Sequence, residues 1–237
     1  MFVVATSKPA IRTEANDRFA AQLRGFGPLG IIAIVAIAIS GNIFIGHYAI
    51  PVGGLLVLLW VQLSGTPWPA IGYVRPKSWA ISVAGGFAFG IAFKLLMKAI
   101  VMPLFGADPI NHVFHYLAGN RALLPAAVWS MFMAGFGEET VFRGFGFERL
   151  QKLLGTSVAA KVAIVLLTAA WFGLAHYGWQ GWTGVEQAFI VGLAFAAIFA
   201  RTRSIFLLMC AHAAFDLTAV AIIYWDLEAR VAHLVFR

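Results

Sequence analysis

The stretch GFGEETVFRGFGFERL, residues 135–150, places two adjacent glutamates and an arginine inside a strongly apolar region. The chain has 237 residues, of which 61% are hydrophobic and only 11% are charged, and its mean hydropathy is +0.86. Soluble domains carry about 25% charged residues. Because every backbone polar group must be satisfied inside a bilayer, a chain this apolar is expected to cross it as helices. The sequence therefore predicts an all-α, polytopic helical membrane protein.

The apolar residues fall into seven segments near the length of about 20 residues that a membrane helix needs. They run over residues 26–46, 49–65, 79–105, 122–146, 158–177, 184–200 and 204–225. An eighth short helix is expected at 108–118 or in the last dozen residues. We predict seven or eight transmembrane helices in a single transmembrane domain over residues 26–237, preceded by a basic cytoplasmic tail at residues 1–25.

Charge placement predicts orientation and excludes one class of partner. The formal net charge is +7, but the basic residues occupy short polar gaps rather than one face, so nucleic-acid binding is not expected. Eleven Lys and Arg residues fall on the side of the N-terminus and three on the other side. By the positive-inside rule the N-terminus is cytoplasmic. We expect an integral membrane protein that contacts the lipid bilayer, placed in the plasma membrane of a prokaryote.

Charged and imidazole side chains inside the apolar segments are the candidate functional residues. A charge at the centre of a membrane helix costs about 3 kcal/mol on insertion scales, so such groups pair or line a cavity. They form three clusters: Glu138, Glu139 and Arg143; His176; and His212 with Asp216.

Within the first cluster, Glu139 and Arg143 are spaced i, i+4, which predicts an intrahelical ion pair and leaves Glu138 facing another direction. These residues are compatible with structural pairing between helices. They are equally compatible with activation of a water molecule, with or without a metal ion.

Three motifs lie in a fixed order on separate apolar segments: EETVFR (138–143), FGLAH (172–176) and HAAFD (212–216). In this order they resemble the CPBP family, the CAAX proteases and bacteriocin-processing enzymes also called the abortive-infection family. The best-known branch of that family is the type II CAAX prenyl endopeptidase. The resemblance covers residues 122–222, and it implies a hydrolase that performs proteolysis within the membrane on a peptide or membrane-protein substrate.

The resemblance also implies a role for each motif residue. Glu138 would polarise the attacking water, and His176 would share that water. Glu139 and Arg143 would form the pair that aims Glu138. His212 and Asp216 would lie across the cavity and bind the oxygen of the scissile carbonyl or hold a metal.

The metal question stays open at this point. The family more often has Asn at position 216, and an ionised Asp cannot donate a hydrogen bond to an oxyanion. Asp216 therefore favours a metalloprotease in which His176, His212 and Asp216 hold one divalent ion such as zinc, although a metal-free mechanism is also compatible with the sequence.

Two further functions are compatible with the same residues. The chain could be a non-catalytic immunity or scaffold membrane protein of the same fold, or a small proton-coupled transporter that uses the carboxylates. The intact set of motif residues favours the endopeptidase.

Two features of the sequence predict local structure around these motifs. In straight helices Glu138 and His176 would differ in depth by about 15–20 Å at 1.5 Å per residue, so tilted helices or a dip of the GWQGWTG turn (178–184) is required. Lys94 and Lys98 share one face of the third segment. We expect both to extend their ammonium groups toward the headgroups.

Overall fold

The computed structural model describes residues 14–40 and 49–236, with only the backbone described for residues 49–51. This part of the chain is helical and contains no strand. Its helices are α1 Glu14–Arg24, α2 Pro28–Ser40, α3 Ala49–Ser64, α4 Trp79–Leu96, α5 Met102–Leu104, α6 Leu124–Glu138, α7 Gly146–Leu154, α8 Val158–Ala175, α9 Tyr177–Thr202, α10 Phe206–Tyr224 and α11 Glu228–Ala232. Each predicted apolar segment coincides with at least one helix, so the all-α fold is confirmed.

The number of membrane-spanning helices is smaller than the seven or eight predicted. Among the described residues, four helices are long and apolar enough to cross a membrane: Trp79–Leu104, Val158–Ala175, Tyr177–Thr202 and Phe206–Tyr224. A fifth span is obtained if α1 and α2, bent by 56°, count as one. Two predicted spans fail for identifiable reasons. The described part of α3 is short, and the helix that begins at α6 carries the charged residues Glu138, Glu139 and Arg143, which lower its hydropathy.

Helix α10 lies between α4 and α6, and glycines allow both neighbours to approach it closely. A Cβ atom added to Gly90 of α4 would lie 2.1 Å from the Ala211 carbonyl oxygen, and one added to Gly135 of α6 would lie 2.7 Å from that of Met209. No side chain fits at such distances. Gly86 and Gly90 form a GxxxG spacing, which favours such close packing between helices. This packing fixes the position of α10, which carries His212.

We expect Gly90→Ala to destabilise the protein, because its methyl group overlaps the α10 backbone, which cannot rotate away. Overpacking of this kind costs about 1–3 kcal/mol. Gly85→Ala is the matched control on the same helix, since a Cβ atom there meets nothing within 4 Å. Thermal unfolding in detergent should give a lower Tm for Gly90→Ala and an unchanged or higher Tm for Gly85→Ala. Equal Tm values for the two variants would contradict the packing assigned to α4 and α10.

The helix that follows α6 changes its hydrogen-bonding pattern at the glutamates. Residues Glu139–Phe145 form a π-helix that continues directly from α6 into α7. Such widened turns occur frequently at functional sites, because they alter the direction in which neighbouring side chains point. A second π-helix, Met97–Val101, joins α4 to α5. The sequence contains no pattern that predicted either of them.

Helices α8 and α9 pack along each other and are joined at His176. The GWQGWTG segment lies in α9, whose helix is broken at Gly181, where φ is +59° and ψ is −158°. The predicted turn is therefore present as a helix break at Gly181, although the residues on either side of it are helical.

The ends of the predicted domain differ from expectation in two respects. Residues 14–24 of the predicted tail form α1, in which the Leu23 carbonyl accepts a hydrogen bond of 3.1 Å from the Trp60 indole nitrogen of α3. The rest of the tail, residues 1–13, lies outside the described residues. Segment 108–118 is not a helix, since only His115–Leu117 forms a single 3₁₀ turn. Glu228–Ala232, near the C-terminus, is the short additional helix.

Candidate active site

Glu139 lies at the centre of the buried polar cluster. Its Oε1 atom accepts a hydrogen bond from Arg143 Nη1 at 2.9 Å and another from His212 Nδ1 at 2.7 Å. The side chains of Glu139 and Arg143 are 0% and 1% exposed. The predicted i, i+4 ion pair is therefore confirmed, and the same carboxylate oxygen also joins the π-helix to α10. The sequence did not predict this bond between the first and third motifs.

Glu138 faces the second ring nitrogen of His212, Nε2. Its Oε2 atom lies 3.6 Å from His212 Nε2, and Asp216 Oδ2 lies 3.5 Å from that nitrogen on the α10 side. These distances are beyond a hydrogen bond, and Glu138 Oε2 is buried with no hydrogen-bond partner among the described residues. The side chains of Glu138 and Asp216 are 18% and 25% exposed, unlike Glu139. The two adjacent glutamates thus occupy different environments: Glu139 is fully buried, whereas Glu138 is partly exposed.

His176 is oriented by the backbone of its own motif. The Phe172 carbonyl oxygen lies 2.8 Å from His176 Nδ1 and can only accept, so Nδ1 carries the proton. In the neutral ring, Nε2 then holds the free lone pair. His176 is near enough to Glu138 and to Asp216 for electrostatic interaction with both. The helix hairpin therefore removes the depth difference that straight helices would give.

The aromatic ring of Phe172 contacts the other two motifs. The Arg143 guanidinium lies 4.4 Å from the centre of this ring, and the His212 ring meets it edge to face at 5.9 Å. Phe195 of α9 contacts the same two groups, 5.5 Å from Arg143 and 5.7 Å from His212. Two phenylalanine rings therefore pack against both charged groups.

The residues proposed as metal ligands do not form a ligand set. Among residues 14–40 and 49–236, no group of three or more His, Cys, Asp or Glu side chains is arranged to hold a metal ion. His212 Nδ1 is bound to Glu139, and Asp216 lies against the Nε2 side of the same ring. The described side chains of His176, His212 and Asp216 therefore do not fit a metal centre, and metal binding by them stays an untested prediction.

A second polar network lies beyond the buried polar cluster and centres on Glu228. Glu228 of α11, 1% exposed, lies 3.7 Å from Lys98 Nζ and 3.0 Å from His115 Nδ1, and its Oε1 accepts the Asn111 backbone N–H at 2.8 Å. The sequence does not indicate this network, because 113 residues separate Glu228 from His115.

The loop at Asp108 contributes a further charge to the same region. The Ile110 backbone N–H, and next the His112 side chain, hydrogen-bond to the Asp108 carboxylate and hold its pKa below the usual range. Asp108 is therefore an ionised carboxylate that already has its partners.

Comparison with known proteins gives one family. Residues 120–218 match the family described as Rce1-like, type II CAAX prenyl endopeptidase Rce1-like. The matched segment contains all three motifs and confirms the resemblance that they carry. No curated protein and no solved structure matches the chain.

Proposed function

We propose that the chain is an intramembrane endopeptidase of the CAAX protease family, whose model matches residues 120–218. Its substrate is a peptide or protein that reaches the site from the membrane. The observation that carries the proposal is the arrangement around His212. The fully buried carboxylate of Glu139 binds His212 Nδ1 at 2.7 Å, while the partly exposed carboxylate of Glu138 faces His212 Nε2 at 3.6 Å.

Water activation is assigned to Glu138 and His176. A buried carboxylate oxygen without a hydrogen-bond donor, such as Glu138 Oε2, is a favourable acceptor for a water proton. Because His176 Nδ1 donates to Phe172, its Nε2 can accept the second hydrogen bond of that water. Glu138 removes one proton as the water oxygen bonds to the carbonyl carbon of the scissile peptide. A positioned general base of this kind contributes a factor of about 10²–10⁴ in rate.

Oxyanion stabilisation is assigned to His212. Since its Nδ1–H is committed to Glu139, donation from Nε2 requires the doubly protonated ring. The carboxylates of Glu138 and Asp216, both on the Nε2 side, stabilise that positive charge. The Nε2–H then donates to the oxygen of the tetrahedral intermediate. When the carbon–nitrogen bond breaks, Glu138 returns its proton to the leaving amine, which balances the reaction.

Glu139 and Arg143 are assigned to positioning other residues rather than to contact with the substrate. Both are sealed, so neither can reach a reacting atom. Through Glu139 they fix the tautomer and the ring plane of His212, as buried carboxylates do for functional histidines.

The mechanism proposed here uses no metal, which gives a test by chelation and by mutation. The purified protein should retain its turnover after treatment with a strong chelator, and Asp216→Asn should keep most of that turnover, because an Asn amide can donate to the oxyanion. Activity assays and elemental analysis check both points. Reversible loss of activity on chelation, with about one equivalent of metal and an inactive Asp216→Asn variant, would establish the metal site instead.

An inactive variant that retains its substrate can be used to identify that substrate. Glu138→Gln keeps the shape of the site while removing the base, so it should retain substrates that the wild type releases. The variant, reconstituted in liposomes, is offered matched peptides with and without an S-prenylated cysteine, and bound peptides are identified by mass spectrometry. Cleavage of such peptides by the wild type, with retention by Glu138→Gln, supports the endopeptidase. Proton-dependent solute flux in the same liposomes, without any cleavage, would favour a transporter.

A further inference from the structure

A pocket that the proposed hydrolysis does not use lies between the end of α7, the start of α8 and the end of α9. Its volume of about 340 Å³ falls within the range of about 300–1,000 Å³ of small-molecule sites. Its charged lining residues are Lys161 and Arg203, and none of the described residues that line it is acidic. Gln151 and Thr156 also line it, and their side chains can donate hydrogen bonds. The pocket therefore has the composition of an anion site.

Arg203 has donors that the protein does not use. Its Nη2 atom donates one hydrogen bond, of 3.3 Å, to the Ala70 carbonyl oxygen, and its guanidinium lies 5.2 Å from the centre of the Phe199 ring. No carboxylate of the described residues lies within 4 Å of it. Because a guanidinium has five N–H donors, most of them remain available to a ligand.

The backbone of Arg203 also indicates a use for this side chain. The residue ends α9 in the left-handed conformation, with φ +53° and ψ +23°. Glycine adopts that conformation without steric cost and is the usual residue after the last turn of a helix. A residue with a long side chain at this position is uncommon. An arginine here is therefore best explained by a contact that its guanidinium makes.

Lys161 differs from the lysines that lie deeper in the protein. The sequence predicted that Lys94 and Lys98 extend toward the headgroups, but both are used inside the protein. Lys94 is 7% exposed and donates a hydrogen bond of 3.3 Å to Gln187, and Lys98 lies 3.7 Å from Glu228. Lys161 is exposed and forms no ion pair with a described carboxylate. Its charge is therefore available to a ligand.

The position of the pocket indicates which anion it meets. Lys161 lies in the first turn of α8 and Arg203 directly follows α9, and both helices are long and apolar enough to cross a membrane. The ends of such helices lie at the level of the headgroups. Glu148 of α7 is paired with Arg149 and does not line the pocket. Basic pockets between membrane helices at this level bind the headgroups of anionic lipids.

We propose that Lys161 and Arg203 bind the phosphate group of an anionic phospholipid at this pocket. Arginine binds phosphate through paired N–H groups, and lysine adds a point charge. Inorganic phosphate has the same chemistry, but the position of the pocket at the ends of two membrane helices favours the lipid. The pocket lies apart from the cluster around Glu139, so this inference does not depend on the proposed endopeptidase function.

Native mass spectrometry of the full-length protein in an uncharged detergent tests the inference by counting bound lipids. Dioleoyl-phosphatidylglycerol and dioleoyl-phosphatidylcholine have the same acyl chains and are titrated separately. We expect one molecule of the phosphatidylglycerol to bind about fivefold or more tightly than the phosphatidylcholine. Inorganic phosphate at the same concentration should displace little of the bound lipid. Displacement of most of it would overturn the lipid assignment in favour of free phosphate.

Three variants locate this preference in the molecule. Arg203→Gln and Lys161→Gln should each weaken phosphatidylglycerol binding by about fivefold or more. Arg201→Gln is the matched control, because Arg201 is exposed near the same end of α9 but does not line the pocket, and it should bind within about twofold of the wild type. Lys161 is exposed, so Lys161→Gln should fold even if Arg203→Gln does not. Equal affinity of the wild type for the two lipids would overturn the inference, as would unchanged binding by Lys161→Gln or an equal loss in Arg201→Gln.

Discussion

Glu138→Gln should lower the turnover of the purified protein by a factor of about 10²–10⁴ while leaving its fold intact. The amide that replaces the carboxylate cannot remove a proton from water. Among the described residues Glu138 forms no ion pair within hydrogen-bond distance, and Glu139 and Asp216 add like charge nearby. Without the charge of Glu138, His212 still faces the carboxylates of Glu139 and Asp216, so the Tm should stay close to that of the wild type.

The matched control for this variant is Glu186→Gln. Glu186 is an exposed residue of α9 and does not belong to the buried polar cluster around Glu139. The same chemical change there should leave turnover within about twofold of the wild type. Turnover of Glu138→Gln equal to that of Glu186→Gln would remove Glu138 from the mechanism.

Arg143→Ala should reduce stability as well as activity. The substitution leaves the carboxylate of Glu139, which is 0% exposed, with His212 as its only partner among the described residues. Breaking a buried pair by removing one member costs about 3–5 kcal/mol. It also removes the guanidinium that packs on Phe172, whose carbonyl orients His176. Thermal unfolding and peptide cleavage, measured on the same preparation, should both show the loss.

A double variant separates the charge effect from the packing effect. In Glu139→Gln with Arg143→Met neither buried charge remains, and Gln can still accept the hydrogen bond from His212 Nδ1. Replacing both members of a buried ion pair is often neutral. We therefore expect the double variant to unfold at a higher temperature than Arg143→Ala. If Arg143→Ala is inactive but as stable as the wild type, the positioning role of this pair is wrong.

The sequence predicted the parts of the site that depend on local spacing. The i, i+4 separation of Glu139 and Arg143 was enough to predict their ion pair, because residues four apart lie on one helical face. The GxxxG spacing of Gly86 and Gly90 is likewise a local pattern that favours the close approach of α4 to α10. The helical segments followed from apolar runs that only a membrane helix or a buried core explains.

The sequence could not predict contacts that depend on how distant segments meet. The bond from Glu139 to His212 joins residues 73 positions apart, and nothing local indicates it. The widened turn at Glu139–Phe145 and the position of His176 between α8 and α9 also decide which groups face each other. The number of spans was overestimated because apolar content alone does not distinguish a helix that crosses the membrane from one that buries charge against protein.

Glu138 is proposed to activate water for peptide hydrolysis in the membrane. The decisive experiment mixes isolated bacterial membranes with liposomes that contain either the wild type or Glu138→Gln, in water enriched in oxygen-18, and identifies the resulting peptides by mass spectrometry. We expect new peptide carboxyl ends that carry oxygen-18 with the wild type and few or none with Glu138→Gln. Equal numbers of labelled ends with the two proteins, or no new ends above those of empty liposomes, would refute this role of Glu138.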